Sequence, residues 1–232
     1  MTNAAYDKEA LGQSLKLYLC TDRALLGAGK ALAGNKMLLD AVEAAVAGGV
    51  TIVQLREKEL CPRDFFLLAK ELLVLCKRLK TPLIINDRLD IALAVGAAGV
   101  HLGQDDLPLA AARAICKKDF IIGVSCHNPD EAIQAEQEGA DYIGAGAVFA
   151  TGTKADTSVI GTQGLASIAS CVKIPVIGIG GINKTNIAQV IDSGARGAAV
   201  ISAILSQREA DKNYIYSIKN AAMELCSILD RS

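Results

Sequence analysis

"VAGGVTIVQLREK", residues 46–58, turns from an apolar run through two glycines into a segment that begins like a buried strand and ends in long polar side chains. Glycine is the usual stop for a helix, so the stretch reads as a helix passing directly into a strand. Successive side chains of a strand point to opposite faces. One face then carries Val50, Ile52, Gln54, Arg56 and Lys58, and the other carries Thr51, Val53, Leu55 and Glu57. The first face is apolar at its start and strongly polar at its C-terminal tip.

The same junction recurs. "VGAAGVHL" (95–102), "EQEGADYI" (136–143) and "DSGARGAA" (192–199) each end a helical run in Gly or Ala-Gly and enter a strand. Eight short β-rich runs are spaced along the chain: "LYLCT" (17–21), "TIVQLRE" (51–57), "PLIIND" (82–87), "GVHLG" (99–103), "FIIGVSC" (120–126), "DYIGAGAV" (141–148), "PVIGIGG" (175–181) and "GAAVIS" (197–202). Between them lie segments of helical spacing, among them Met37–Ala47, Pro62–Leu79, Asp130–Glu138 and Lys184–Ser193, with a final one from Asp211 to Leu229. Pro62 and Asp64 suit the first turn of the second segment. Strands alternating with helices imply right-handed parallel crossovers. Eight such units in 232 residues match a TIM barrel, which typically takes ~250 residues. The predicted class is α/β, a single-domain (β/α)8 TIM barrel over residues 15–232 behind an N-terminal extension of residues 1–14. A doubly wound sheet is the rival.

Composition agrees. Hydrophobic residues make up 51% of the chain but aromatics only 4%, so the core has to be built from Ala, Val, Ile and Leu. That suits closely packed parallel strands under helices. A net charge of −1 lacks the basic stripe of a nucleic-acid-binding domain, so any anion site must be local. Seven cysteines form no C-x-x-C pair and lie mostly in apolar segments, as reduced thiols of a cytosolic protein do. Residues 1–14 lack the apolar core of a signal peptide, and no uncharged apolar stretch of about 18 residues appears. The expectation is a cytoplasmic protein with small-molecule partners, without nucleic-acid or membrane partners, and with room for a homo-oligomer.

Active sites of such barrels sit at the C-terminal ends of the strands, and the unusual polar residues gather there. Strand two ends in Gln54, Arg56 and Lys58, strand three in Asn86, Asp87 and Arg88, and strand four in Gln104, Asp105 and Asp106. Strand five ends in Ser125 and His127, and "FATGTKAD" (149–156) after strand six offers Thr151, Thr153 and Lys154. Singly, each has a plain structural reading: solvated charges, an "NDR" turn with Asp87 capping the next helix, a "GQDD" capping turn. His101 is expected to pack between barrel and helix. The coincidence at one rim favours a site. Arg56, Lys58 and Lys154 form a cationic cluster suited to a pyrophosphate, with arginine supplying a two-pronged fork. Asp87 and Asp106 are oxygen donors of the kind Mg2+ takes beside phosphates. The "GIGGI" turn (178–182), read as opening a helix near Asn183, and Ile201 and Ser202 on the next strand suggest a second, monophosphate grip. No activated nucleophile–base pair stands out. A reaction that expels pyrophosphate needs mainly positioning and charge stabilisation.

"VQLREK" (53–58), "LIINDR" (83–88), "GVHLGQDD" (99–106), "GVSCH" (123–127), "TGTK" (151–154) and "IGIGGI" (177–182) occur in this order. Together they resemble the thiamine-phosphate synthase family over about residues 15–205. The resemblance implies a TIM-barrel transferase of thiamine biosynthesis. It would join hydroxymethylpyrimidine pyrophosphate to hydroxyethylthiazole phosphate with Mg2+, pyrophosphate leaving first. It further implies that Gln54, Arg56, Lys58 and Asn86 grip the pyrimidine pyrophosphate, that Asp87 and Asp106 hold the metal, and that Ser125 meets the pyrimidine or its departing pyrophosphate. Thr151, Gly152, Thr153, Gly181, Ile201 and Ser202 would hold the thiazole phosphate, with Lys154 a further pyrophosphate contact. The residues taken as catalytic are Arg56, Lys58, Ser125 and Lys154. Two positions depart from the pattern: Ala150 stands where many members have proline, and Ala155 where many have a second lysine. The alternatives are a thiazole tautomerase on the same barrel, with His127 as its acid–base group, and a non-catalytic thiazole-phosphate sensor. Neither would need the cationic and acidic clusters together.

Overall fold

Residues 8–27, 32–152, 158–206 and 213–231 are described in the computed structural model. In chain order the first elements are α1 (Lys8–Ser14), β1 (Leu17–Cys20), α2 (Leu32–Ala47), β2 (Ile52–Leu55), α3 (Pro62–Leu79), β3 (Leu83–Asn86), α4 (Leu89–Val95), β4 (Gly99–Leu102) and α5 (Leu109–Ile115). Then follow β5 (Ile121–Cys126), α6 (Pro129–Gln137), β6 (Tyr142–Gly146), α7 (Gly161–Cys171), β7 (Val176–Ile179), α8 (Ile187–Asp192), β8 (Gly197–Val200), α9 (Ser202–Leu205) and α10 (Tyr214–Leu229). Each strand falls inside one of the eight apolar runs. All pairings are parallel, and β8 closes onto β1 with Leu17 opposite Ala198 and Leu19 opposite Val200. Closure excludes the doubly wound sheet.

The alternation of the strands sorts their side chains into two apolar layers. Val53, Leu55, Leu83, Ile85, Val100, Leu102, Ile122 and Val124 face outward, into the layer that also holds Phe65, Leu68 and Leu72 of α3. Ile52, Ile84, Ile121, Ile177 and Ala199 face inward and meet Tyr18 and Tyr142 there. Burying each isoleucine contributes about 1.5–3 kcal/mol, so the N-terminal half of the barrel is a packed floor. Leu11 of α1 and Leu15 join this interior cluster at the N-terminal end of β1.

The two glycines of the opening stretch also have a packing role. A Cβ on Gly48 would stand 2.4 Å from the carbonyl oxygen of Lys219 and 2.7 Å from the Ala222 side chain. Their bareness lets α10 settle against the α2–β2 junction. The longest helix, α3, has the predicted bounds: Pro62 in its first turn, Asp64 there too, and Lys77 and Arg78 in its last turn. Those charges complement the helix dipole.

Candidate active site at the C-terminal rim

Because the strands are parallel, all their C-terminal ends open on one side, and a cavity lies there. Gln54, Arg56, Asn86, Ser125, Thr151, Gly181, Ile201 and Ser202 all line it. The rim reading therefore gathers residues from β2, β3 and β5 and from the segments after β6, β7 and β8. Lys58 lies two residues beyond Arg56 and is exposed, outside the lining. Gly152 is exposed as well. Thr153 and Lys154 lie outside the described residues.

The cavity floor holds side chains that the sequence did not single out. Gln54 Nε2 donates to the Tyr18 hydroxyl at 2.8 Å, and that hydroxyl lies 2.8 Å from the Tyr142 hydroxyl. Tyr142 is in turn 2.9 Å from His101 Nδ1, and His101 Nε2 is 3.0 Å from Ser125 Oγ. A continuous chain thus crosses the barrel from β2 to β5. At its β2 end the Cys20 thiol points to Gln54 Oε1 at 3.5 Å. Burial pushes both phenols well above their ordinary pKa and the Cys20 thiol up to about 12, so all three keep their protons.

His101 corrects an expectation. It faces the barrel interior and the cavity, not the helix layer. Val100 and Leu102 are the outward residues of β4, which leaves Gly99 and His101 as the inward pair. The alternation carried this answer; the polar residue belonged with the inward face because the apolar ones take the helix side. Room for the rings comes from the neighbouring strands. A Cβ on Gly123 would fall 2.1 Å from Tyr142 Cζ, and one on Gly144 would fall 3.0 Å from His101 Cε1.

The tip of β2 is braced by the loop after β1. Thr21 N donates to Gln54 O at 2.9 Å, and Arg56 N donates to Thr21 Oγ1 at 3.0 Å. The Arg56 guanidinium reaches Asp22 Oδ2 only at 3.5 Å. On the outward face of the same tip, Glu57 lies 3.6 Å from Arg23 Nε with its side chain 5% exposed. Burial pushes the Glu57 carboxyl up to about 7, with Arg23 working against that shift.

The "GIGGI" turn differs from its expected form. Gly181 has φ 63° and a Cβ there would meet Ala150 O at 2.4 Å, so the turn passes close under the loop after β6. No helix starts at Asn183. Its N–H donates to Asn186 Oδ1 at 2.8 Å, its own Oδ1 accepts from Thr185 N at 2.9 Å, and Asn186 Nδ2 donates to Gly181 O at 3.0 Å. These local bonds hold a turn, as asparagine side chains do in competition with helix, and α8 begins only at Ile187. Ile201 and Ser202 still bring the start of α9 to the cavity.

Asp87 and Asp106 follow neighbouring strands, β3 and β4. Asp87 takes a positive φ of 61° and its N–H donates to His101 O at 2.8 Å. Asp106 Oδ2 accepts from Gly103 N at 2.6 Å, closing its own turn beside a second hollow shared with Gln104 and Glu131. Among the described residues no three His, Cys, Asp or Glu side chains gather as a ready metal cage. Mg2+ does not need one, since one or two carboxylates with water and substrate phosphate usually suffice. The donor type fits; the set is partial without a phosphate. His127, predicted at the same rim, lines the cavity while its Nδ1 lies 2.9 Å from Glu131 Oε2 in the first turn of α6.

Known proteins resemble this chain over most of its length. The family model described as thiamine monophosphate synthase, TMP-TENI, matches residues 17–204. The thiamine-phosphate synthase of Clostridium acetobutylicum is 50% identical over 198 residues, covering 85% of this chain and 90% of the relative. That of Ruminiclostridium cellulolyticum is 48% identical over 212 residues, covering 91% and 94%. The solved structure of thiamine phosphate pyrophosphorylase from Pyrococcus furiosus superposes with a TM-score of 0.82 at 39% identity, covering 95% of this chain and 98% of that one. With the barrel, the rim cavity and matches of this extent in hand, the chain belongs to the thiamine monophosphate synthase family.

Proposed function

We propose that this chain carries out its thiamine-phosphate synthase reaction on the rim cavity, with hydroxymethylpyrimidine pyrophosphate and hydroxyethylthiazole phosphate as substrates, pyrophosphate as leaving group and Mg2+ as helper. Family membership makes it a transferase of thiamine biosynthesis. The observation that carries the rest is the convergence of Gln54, Arg56, Asn86, Ser125, Thr151, Gly181, Ile201 and Ser202 on one cavity.

Arg56 is placed to receive the pyrophosphate. Its backbone is fixed by Thr21, and its one ion pair among the described residues, to Asp22 at 3.5 Å, is long. The remaining guanidinium donors are available for a forked bond to phosphate oxygens, which arginine makes better than lysine. Gln54 and Ser125 present neutral polar groups from opposite ends of the floor, suited to a heterocycle or to phosphate oxygens. Asp87 and Asp106 would hold Mg2+ together with the pyrophosphate, and the bound ion would neutralise charge building on the leaving group. The leaving group departs first, and the thiazole nitrogen then traps the pyrimidine methyl cation. The barrel holds both partners in register and limits water, so no protein nucleophile is required.

An isomerase or sensor reading draws no support from a particular feature. His127, the acid–base group an isomerase would need, lines the cavity, but an isomerase would have no use for Arg56 there or for the paired carboxylates.

The metal assignment is tested by Asp87→Asn. The Mg2+ concentration for half-maximal turnover is expected to rise by about tenfold or more, the equivalent of at least ~1.4 kcal/mol of binding, with thiazole phosphate affinity unchanged. An unaltered Mg2+ midpoint in both Asp87→Asn and Asp106→Asn would remove these two carboxylates from the account.

A further inference from the structure

The hydrogen-bond chain across the barrel floor has a direction, and the direction bears on catalysis. Gln54 is placed with Nε2 toward the Tyr18 hydroxyl, 2.8 Å away, and Oε1 toward the Cys20 thiol, 3.5 Å away. An amide nitrogen only donates. The Tyr18 oxygen therefore accepts from Gln54, and the Tyr142 oxygen at 2.8 Å is the acceptor within reach for the proton of this fully buried hydroxyl. Having accepted, Tyr142 sends its proton to His101 Nδ1 at 2.9 Å. A neutral imidazole that accepts at Nδ1 carries its proton on Nε2. That proton points at Ser125 Oγ, 3.0 Å away. Ser125 then accepts from His101, and its hydroxyl proton is left to point elsewhere, into the cavity that it lines.

We propose that the Gln54–Tyr18–Tyr142–His101 chain sets Ser125 as a hydrogen-bond donor toward the cavity, with His101 held as the Nε2–H tautomer. His101 is a positioning residue, acting through Ser125. The inference rests on the reading of Ser125 as a substrate contact. Its chemical sense is plain: an anionic leaving group accepts hydrogen bonds, and a serine whose proton was used on His101 would offer it only lone pairs. Geometry supports the fixed orientation. Tyr142 and Tyr18 are fully buried, their ring centroids are 6.0 Å apart, and the His101 ring stands 5.4 Å from that of Tyr142. Gly144 leaves only the space that the imidazole fills. The reverse polarity would require the Gln54 amide to turn over, aiming its NH2 at a thiol sulfur, a weak acceptor.

The chain holds two histidines, His101 and His127, so ring nitrogens can be assigned by comparing 15N-histidine-labelled protein with its His127→Gln variant. The expected result for His101 in the unliganded protein is an unprotonated Nδ1 and a protonated Nε2, slowly exchanging. Tyr142→Phe is expected to mix the two tautomers and lower kcat by about tenfold, the worth of one well-placed hydrogen bond, with the KM for thiazole phosphate unchanged. In a Ser125→Ala background the same Tyr142→Phe change is expected to have no further effect on kcat, because the chain acts through that hydroxyl; a merely structural role would lower both backgrounds alike. An Nδ1–H tautomer in the wild type overturns the polarity while leaving Ser125's contact intact. Normal turnover by Ser125→Ala overturns the contact itself, and the proposal with it. Should Tyr142→Phe fail to fold, the wild-type tautomer alone decides.

Discussion

Changing Arg56 to alanine is expected to lower coupling by about a hundredfold or more, the loss typical of removing one charge-stabilising donor from an active site. The effect should fall on the pyrimidine side: turnover drops, while thiazole phosphate binds as before in calorimetry. The variant should still fold. The Arg56 N–H bond to Thr21 Oγ1 belongs to the backbone and survives the change. The side chain's pairing with Asp22 is long, at 3.5 Å, and Asp22 keeps its bond from Ala24 N at 3.0 Å when that pairing is lost. Arg56→Lys keeps the charge and loses the fork, so it should recover only part of the rate. Normal turnover by Arg56→Ala would show that the pyrophosphate is held elsewhere.

The second large effect concerns folding. Gly123→Ala places a methyl 2.1 Å from Tyr142 Cζ and 2.4 Å from Cε1. The ring has nowhere to go, being fully buried and tethered to Tyr18 and His101 through its hydroxyl. Overpacking a tight core commonly costs 1–3 kcal/mol, and the upper end, about 3 kcal/mol, is expected here. For a chain of this size that lowers Tm by roughly 6–12 °C in thermal unfolding followed by circular dichroism. The cause is checked by a double-mutant cycle. In a Tyr142→Ala background, the same methyl should be nearly neutral, giving a coupling energy of a few kcal/mol. A Gly123→Ala variant within about 0.5 kcal/mol of the parent would mean that the ring and its hydrogen bonds are not the rigid floor described above.

Where the sequence was readable, a strong local signal and the tertiary structure agreed. α3 runs from Pro62 to Leu79 as expected, because Pro62 and Asp64 marked its start and its apolar stripe was long enough to show a period. The β2 tip showed itself through the switch from Ile52 to Gln54 and Arg56 on one face. α4 and α5 have only seven residues each, too few for periodicity to delimit them. The Tyr18–Tyr142–His101 chain was hidden for another reason. Each member looks like ordinary core in its own strand, and only barrel closure brings β1, β4 and β6 within hydrogen-bonding reach. Asn183 and Asn186 misled in the opposite sense. They sit where a helix was expected, yet their side chains bond nearby backbone and delay α8 to Ile187. Asp106 shows how a capping turn and a candidate ligand look alike in sequence, since one of its oxygens closes the turn on Gly103 and its side chain borders the second hollow.

The most direct test of the account is a coupling assay with purified protein, both substrates and Mg2+. Thiamine phosphate would be read by oxidation to its fluorescent product, and pyrophosphate would be counted in parallel. Equal amounts of the two products, abolished by EDTA and restored by excess Mg2+, are the predicted result. Binding of thiazole phosphate without formation of thiamine phosphate, or coupling indifferent to EDTA, would contradict it.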